Sequence, residues 1–261
     1  MNLLSSLRQW RRKRVARRFE VSEASWTSIE AQLPFLDYLD PGERMRLREM
    51  ALELLAEKEI AGAHGFEVSD EVRLAIALQA CLLVLNLGLE QYEGWVGIVV
   101  YPGDFVIPRQ HVDEHGVMHE YVEHAVGEAW VGGPVLISWL PQAQGEDGIN
   151  VVIHEFAHKL DMLNGGVDGF PALHAGMSRK RWSAAFQSAY TDFCRYVDQG
   201  GDSWLDAYAT ESPSEFFAVV SEAFFETPLM VQEDMPEVYE QLRQFYRQDP
   251  AERQRRSHAA R

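Results

Sequence analysis

The stretch VVIHEFAHKLDMLNGG, Val151 to Gly166, holds two histidines four residues apart, His154 and His158, with Glu155 beside the first. A spacing of four places both imidazoles on one face of a helix. From there both reach a single zinc ion at about 2.0–2.1 Å. Glu155 then stands where it can take a proton from a water activated at that ion and pass it to a leaving amine. Val151, Val152, Ile153, Phe156, Ala157, Leu160 and Leu163 supply the apolar surface that buries such a helix. The bland alternative is a helix with two satisfied histidines and no metal.

A catalytic zinc usually has three protein ligands and one open position. A third histidine six residues after the second is excluded, because position 164 is Asn164. Asp161, one turn past His158, suits a hydrogen bond to a ligand better than ligation itself. Asp168 follows a glycine-rich turn. Further on, DAYATESPSEFFAVVSEAFFETP offers Glu211, Glu215, Glu222 and Glu226. Glu215 is the choice: it falls in the first turn of a helix opened by Ser212 and Pro213, in an otherwise apolar segment. The same four residues also read as a capping box, in which Glu215 only satisfies a backbone N–H. Glu222, two turns along the same face, is the runner-up.

Outward from these segments, the chain divides into three stretches. Asp40-Pro41 is a helix start, and GERMRLREMALELLAEKEI carries Met45, Leu47, Met50, Ala51, Leu54 and Leu55 at helical spacing. Ser69 opens a second helix expected to run to about Leu87 and end at Gly88. Its apolar run, Ala75 to Leu89, is shorter than a membrane span and is broken by Gln79 and Asn86. WVGIVVYP, VMHEYVEHAVGEAW and GPVLISW are β-rich. After Gly148 helices return. Helices, a small sheet, then helices describe an α+β fold, mainly helical. One domain is expected over residues 21–248, between a basic arm at 1–20 and a basic tail at 249–261.

Composition narrows the function. A formal net charge of −16 argues against general nucleic-acid binding. No membrane span is legible, and the N-terminus lacks the order of a signal peptide. Two cysteines, Cys81 and Cys194, make no disulfide framework, so a cytoplasmic location is expected. The arm gathers Arg8, Arg11, Arg12, Lys13, Arg14, Arg17 and Arg18. It reads first as a solvated helix, with contact to an acidic partner, nucleic acid or a membrane surface as the sharper readings. His111, His115, His119 and His124 mimic a helical ligand row, but the segment reads as loop and strand.

With HEFAHKLD followed by AYATESPSEFFAVVSEAFF, the chain resembles the Mlc titration factor A family of zinc metallopeptidases, relatives of the anthrax lethal factor catalytic domain. The resemblance spans about Pro34 to Tyr246 and is weakest at the basic ends. It rests on the strand GGPVLISW before the active-site helix, on His154, Glu155 and His158, and on a tyrosine seven residues before a glutamate in Glu-Phe-Phe-Ala. Here those are Tyr208 and Glu215. The resemblance implies a zincin-like core, one Zn²⁺ on His154, His158 and Glu215, Glu155 as general base and Tyr208 as oxyanion donor. It implies aminopeptidase-like cleavage of short peptides, and binding of a transcriptional repressor of sugar-uptake genes. A binding protein with a structural or latent zinc site is the alternative. In many zinc peptidases the edge strand before the active-site helix pairs with substrate. Val135, Ile137 and Trp139 are therefore candidate substrate-binding positions, against the alternative of an ordinary core strand.

Overall fold

The computed structural model describes residues 21–112, 118–139 and 150–259. The first 20 residues, with the whole basic arm, lie outside it, as does His115.

The expected helix starts are present. Asp40 caps α2 (Pro41–Glu57) in a full capping box with Glu43, and α1 (Glu23–Glu30) precedes it. Ser69 caps α3 (Asp70–Leu83), whose residues from Leu74 onward are all buried. Two boundaries differ from expectation. Helix α2 stops at Glu57, and Glu59–Gly62 becomes a strand, β1. Lys58, at the junction, sends its buried ammonium to the carbonyls of Tyr92 and Trp95, which fixes the turn. Helix α3 ends at Leu83, short of Leu87. Asn86 instead spends its side chain on Arg46 and the Arg247 carbonyl, and Gly88 takes a left-handed φ of 98°. Met45, assigned to the apolar face of α2, is 62% exposed, whereas Leu47, Ala51 and Leu54 are buried.

The strands form two sheets. Parallel β1 and β2 (Gly97–Tyr101) continue into β6 (Val135–Ser138), also parallel to β2. Antiparallel β5 (Gly127–Ala129) completes the order β1-β2-β6-β5. A separate hairpin pairs β3 (Phe105–Val112) with β4 (Met118–Ala125). The β-rich stretch read from sequence thus holds two strands in two sheets, Met118–Ala125 and Gly127–Ala129, parted at Val126. His111 pairs with His119 in the hairpin register and His124 with Val106, so the described histidines of this segment hold strand positions.

One expectation is corrected by this topology. The strand carrying Val135, Ile137 and Trp139 is interior. Its backbone pairs with β2 on one side and β5 on the other, and the Trp139 N–H donates to the Tyr101 carbonyl. Val135 and Ile137 are fully buried and Trp139 nearly so. The strand has no free ladder to offer a peptide, and the edge belongs to β5.

The stretch with His154 and His158 forms α4 (Val151–Asp161), followed by a single 3-10 turn, Met162–Asn164, in which Leu163 is exposed and not part of the apolar face. Helix α4 packs on β5, β6, α3 and α6. Ile153, Phe156, Ala157 and Leu160 lie on its fully buried face. Phe156 meets Tyr92 and Trp95 edge to face at 5.0 and 5.8 Å. Then come α5 (Arg179–Asp198), α6 (Pro213–Glu226), α7 (Pro228–Asp234), α8 (Pro236–Tyr246) and α9 (Pro250–Ala259). Trp182 of α5, Phe217 of α6 and Phe245 of α8 form an aromatic cluster behind the site. Packing continues beyond residue 248: Ala251 is fully buried and Arg253 pairs with Glu43. Among the described residues no helix is long and apolar enough to cross a membrane.

Candidate metal centre

Asn150 starts the site. Its side-chain oxygen caps α4 by accepting from the Ile153 N–H at 2.9 Å, and its amide nitrogen donates to Gln79 and Glu226. The capped helix then presents His154 and His158 on one face, their rings 4.7 Å apart and nearly perpendicular.

Helix α6 brings the third group. Ser212 caps it through the Glu215 N–H at 3.1 Å, so half of a capping box is present. The Glu215 carboxylate does something else. Its Oε2 stands 2.9 Å from His154 Nε2 and 3.2 Å from His158 Nε2, and the two Nε2 atoms are 3.1 Å apart. These three residues form a cluster of potential metal donors among the described residues. Four donors about 2.1 Å from a zinc ion in a tetrahedron stand roughly 3.4 Å from each other. The observed separations are close to that, so the donor set fits the ion.

The other acids have different tasks. Glu222 accepts from His154 Nδ1 at 2.7 Å and from the Asn150 N–H. Asp161 accepts from the Ser214 hydroxyl at 3.0 Å and the Gly169 N–H at 2.9 Å, while Ser214 Oγ lies 3.1 Å from His158 Nδ1. The hydrogen bond expected of Asp161 therefore reaches its histidine through Ser214. Asp168 caps its own turn at Phe170, Glu226 holds Asn150, and Glu211 is exposed.

Glu155 is buried beside this cluster, and its Oε2 has no hydrogen-bond partner among the described residues. Burial pushes its carboxyl up to about 8; the His154 charge opposes this, while Glu215, Glu222 and Glu128 reinforce it. Burial also acts to raise Glu215, but hydrogen bonds from both histidines overcome it and hold that carboxyl below the usual range. For His154, burial is outweighed by Glu215 and Glu222, which favour the protonated ring in the metal-free protein.

The edge strand runs directly past the carboxylate. A Cβ at Gly127 would meet Glu155 Oε1 at 2.2 Å, so a side chain there would displace the Glu155 carboxylate. Tyr208, in the 3-10 turn Ala207–Thr210, is 48% exposed with its ring 6.1 Å from that of His154. Of the positions chosen from sequence, His154, Glu155, His158, Tyr208 and Glu215 come together, and Val135, Ile137 and Trp139 do not face this space with free groups. Sequence reasoning placed Glu222 only as an alternative ligand and did not find Gly127. A glycine between acid-flanked β residues was the available signal for a close approach.

Most of the chain is similar to known proteins. The model of the glucose-regulated metallo-peptidase M90 family matches residues 7–247, reaching further into the N-terminal arm than the resemblance suggested. An uncharacterized protein of Synechocystis sp. is 34% identical over 247 residues, covering 92% of this chain and 89% of its own length. Proteins named Mlc titration factor A are similar too. The one from Salmonella typhi is 35% identical over 232 residues, 87% of each chain. The one from Klebsiella pneumoniae is 34% identical over 237 residues, 89% of each.

Proposed function

Since the chain belongs to the glucose-regulated metallo-peptidase family M90, whose chemistry implies a metal ion, we propose that it is a zinc-dependent peptidase with His154, His158 and Glu215 as ligands. The observation that carries this reading is the convergence of three donor atoms, 2.9 to 3.2 Å apart, beside the buried and incompletely bonded carboxylate of Glu155. When bound, zinc supplies Lewis-acid chemistry, polarising the scissile carbonyl and acidifying a water.

The chain's own residues do the rest. Glu155 takes the proton of the attacking water and returns it to the leaving amine. The half-exposed phenol of Tyr208 donates to the oxyanion of the tetrahedral intermediate. The peptide lies along β5, whose only ladder partner among the described residues is β6. An extended segment pairing there passes within reach of Glu155, and the exposed Val126, Trp130 and Val131 give apolar surface beside it. Short peptides cleaved from the amino end are the favoured substrates.

The test is zinc dependence. Chelator-treated protein should not cleave a panel of aminoacyl and peptidyl p-nitroanilides, and added Zn²⁺ should restore cleavage in wild type but not in His158→Ala. N-acetylated substrates should resist if the enzyme is an aminopeptidase. Equal cleavage by the metal-free protein would refute the reading.

A second role is favoured by the relatives named Mlc titration factor A. By that likeness the chain binds a DNA-binding transcriptional repressor, in the cytoplasm, where its two free cysteines stay reduced. A purely repressor-titrating protein with a structural or latent zinc site would be the limiting case. The net charge of −16 suits attraction to a basic DNA-reading face and disfavours nucleic acid itself. If so, affinity for the repressor should fall as salt rises; an affinity indifferent to salt would remove charge attraction from the account.

A further inference from the structure

The two histidines are held from behind in unequal ways. Glu222 touches two groups at once: Oε1 is 2.7 Å from His154 Nδ1, and Oε2 is 2.5 Å from the backbone nitrogen of Asn150, the cap of α4. It is 3% exposed, well away from bulk solvent. Among the described residues, His158 Nδ1 meets only the neutral Ser214 hydroxyl, backed by Asp161. Both supports, Ser214 and Glu222, project from α6, the helix that also carries Glu215.

We propose that Glu222 is the positioning residue of the metal site, orienting His154 and locking the first turn of α4 to α6 with one carboxylate. The inference rests on the zinc reading above and deepens it. A carboxylate only accepts, so in the neutral ring that would hold zinc it keeps the proton of His154 on Nδ1 and leaves the Nε2 lone pair facing the shared point. It also ties the ring to the start of the helix, which keeps the imidazole from rotating away when no ion is present. Ser214 gives its single proton to Asp161 and so accepts from His158 Nδ1, a weaker version of the same arrangement.

Glutamine at 222 cannot serve both donors. If its carbonyl faces His154, its NH₂ opposes the Asn150 N–H. If its NH₂ faces His154, Nδ1 must accept, and the ring proton moves to Nε2, where a ligand lone pair is needed. Supports of this type typically contribute 10–100-fold in metal affinity.

The experiment titrates metal-free full-length protein with Zn²⁺ against a chromophoric chelator of known affinity, for wild type, Glu222→Gln, Glu222→Asp and Ser214→Ala. Absorption of the Co²⁺-loaded proteins reads the coordination geometry, and thermal melts of the metal-free forms read stability. Glu222→Gln should bind Zn²⁺ about 10–100-fold more weakly with an altered Co²⁺ spectrum, and Ser214→Ala should lose less than Glu222→Gln. Glu222→Asp keeps the charge but shortens the reach, so it should weaken binding even if the glutamine variant does not fold. A lowered melting temperature with Zn²⁺ affinity and Co²⁺ spectrum unchanged would mean a merely structural role and overturn the proposal. If wild type itself bound no Zn²⁺, the fault would lie with the underlying zinc reading.

Discussion

Two buried clusters of charge in this protein are built on opposite plans. Around Glu30, Arg44 and Arg48 close on one carboxylate: Arg48 meets it at 2.6 and 3.1 Å and Arg44 at 3.0 Å, while Arg48 also reaches Glu23 and stacks on Trp26. Burial acts to raise the Glu30 carboxyl, but the two guanidinium groups overcome it and hold it low. Around α4 the balance is reversed. Glu155, Glu215 and Glu222 crowd two histidines, and oxygens of Glu155 and Asp161 are buried without a hydrogen bond among the described residues. The first cluster is complete as protein and ties α1 to α2. The second has excess negative charge, two converging nitrogens and spare acceptors, which is the arrangement a cation would complete. The two clusters differ less in their acids than in the cations that face them among the described residues: two guanidinium groups in the first, two imidazoles in the second.

The largest expected effect breaks the closed cluster. Replacing Arg44 and Arg48 together by methionine strands Glu30, and unfolding by urea at neutral pH should show a loss of about 3 kcal/mol, the low end for a buried pair because both arginines are partly exposed, with zinc content unchanged. The sign with pH is fixed: the wild-type Glu30 carboxyl is depressed, so its contribution is full above the ordinary carboxylate range and fades as pH falls through its lowered value. The gap between variant and wild type should therefore shrink in acid. Next in size, Tyr208→Phe should lower kcat about 10²-fold, or about 2.7 kcal/mol, in p-nitroanilide assays. Because Tyr208 is 48% exposed, zinc content and melting temperature should stay as in wild type.

The smallest effect lies at the border of the open cluster. Burial pushes Glu226 up to about 7, the Asn150 hydrogen bond opposing and Glu222 reinforcing. Its folded value exceeds the unfolded one, so the native state binds the extra proton and stability falls as pH rises from about 4.3 towards 7. Glu226→Gln removes that titration and keeps an acceptor for Asn150. Denaturation at pH 8 should show the variant about 1–3 kcal/mol more stable than wild type, with the difference gone near pH 4.

How much of this could be read beforehand varied with range along the chain. The helix starts at Asp40, Ser69 and Ser212 were legible because a cap is a local event, settled within three residues. The pairing of His154 with His158 was legible for the same reason. Which strand forms the sheet edge was not, because strand order depends on partners far away in the chain. A hint existed: Val135, Leu136 and Ile137 form an unbroken apolar run, the pattern of a strand covered on both faces, whereas alternation marks a half-exposed one. Strand β1 was hidden behind a helical period that continues to Leu55, and only the turn at Lys58 stops it. Glu222 shares its helix face with Glu215, so spacing alone ranked it as a ligand. Its actual partner, Nδ1 instead of Nε2, depends on how α6 lies against α4.

The most direct test of the central claim compares wild type with Glu155→Gln for bound zinc, by elemental analysis, and for turnover of the p-nitroanilide panel. The account expects about one zinc per chain in both proteins and turnover only in wild type, lowered at least about 10²-fold by the substitution. Equal turnover by the variant would show that Glu155 is not the base, and absence of zinc from both would show that His154, His158 and Glu215 do not form the site.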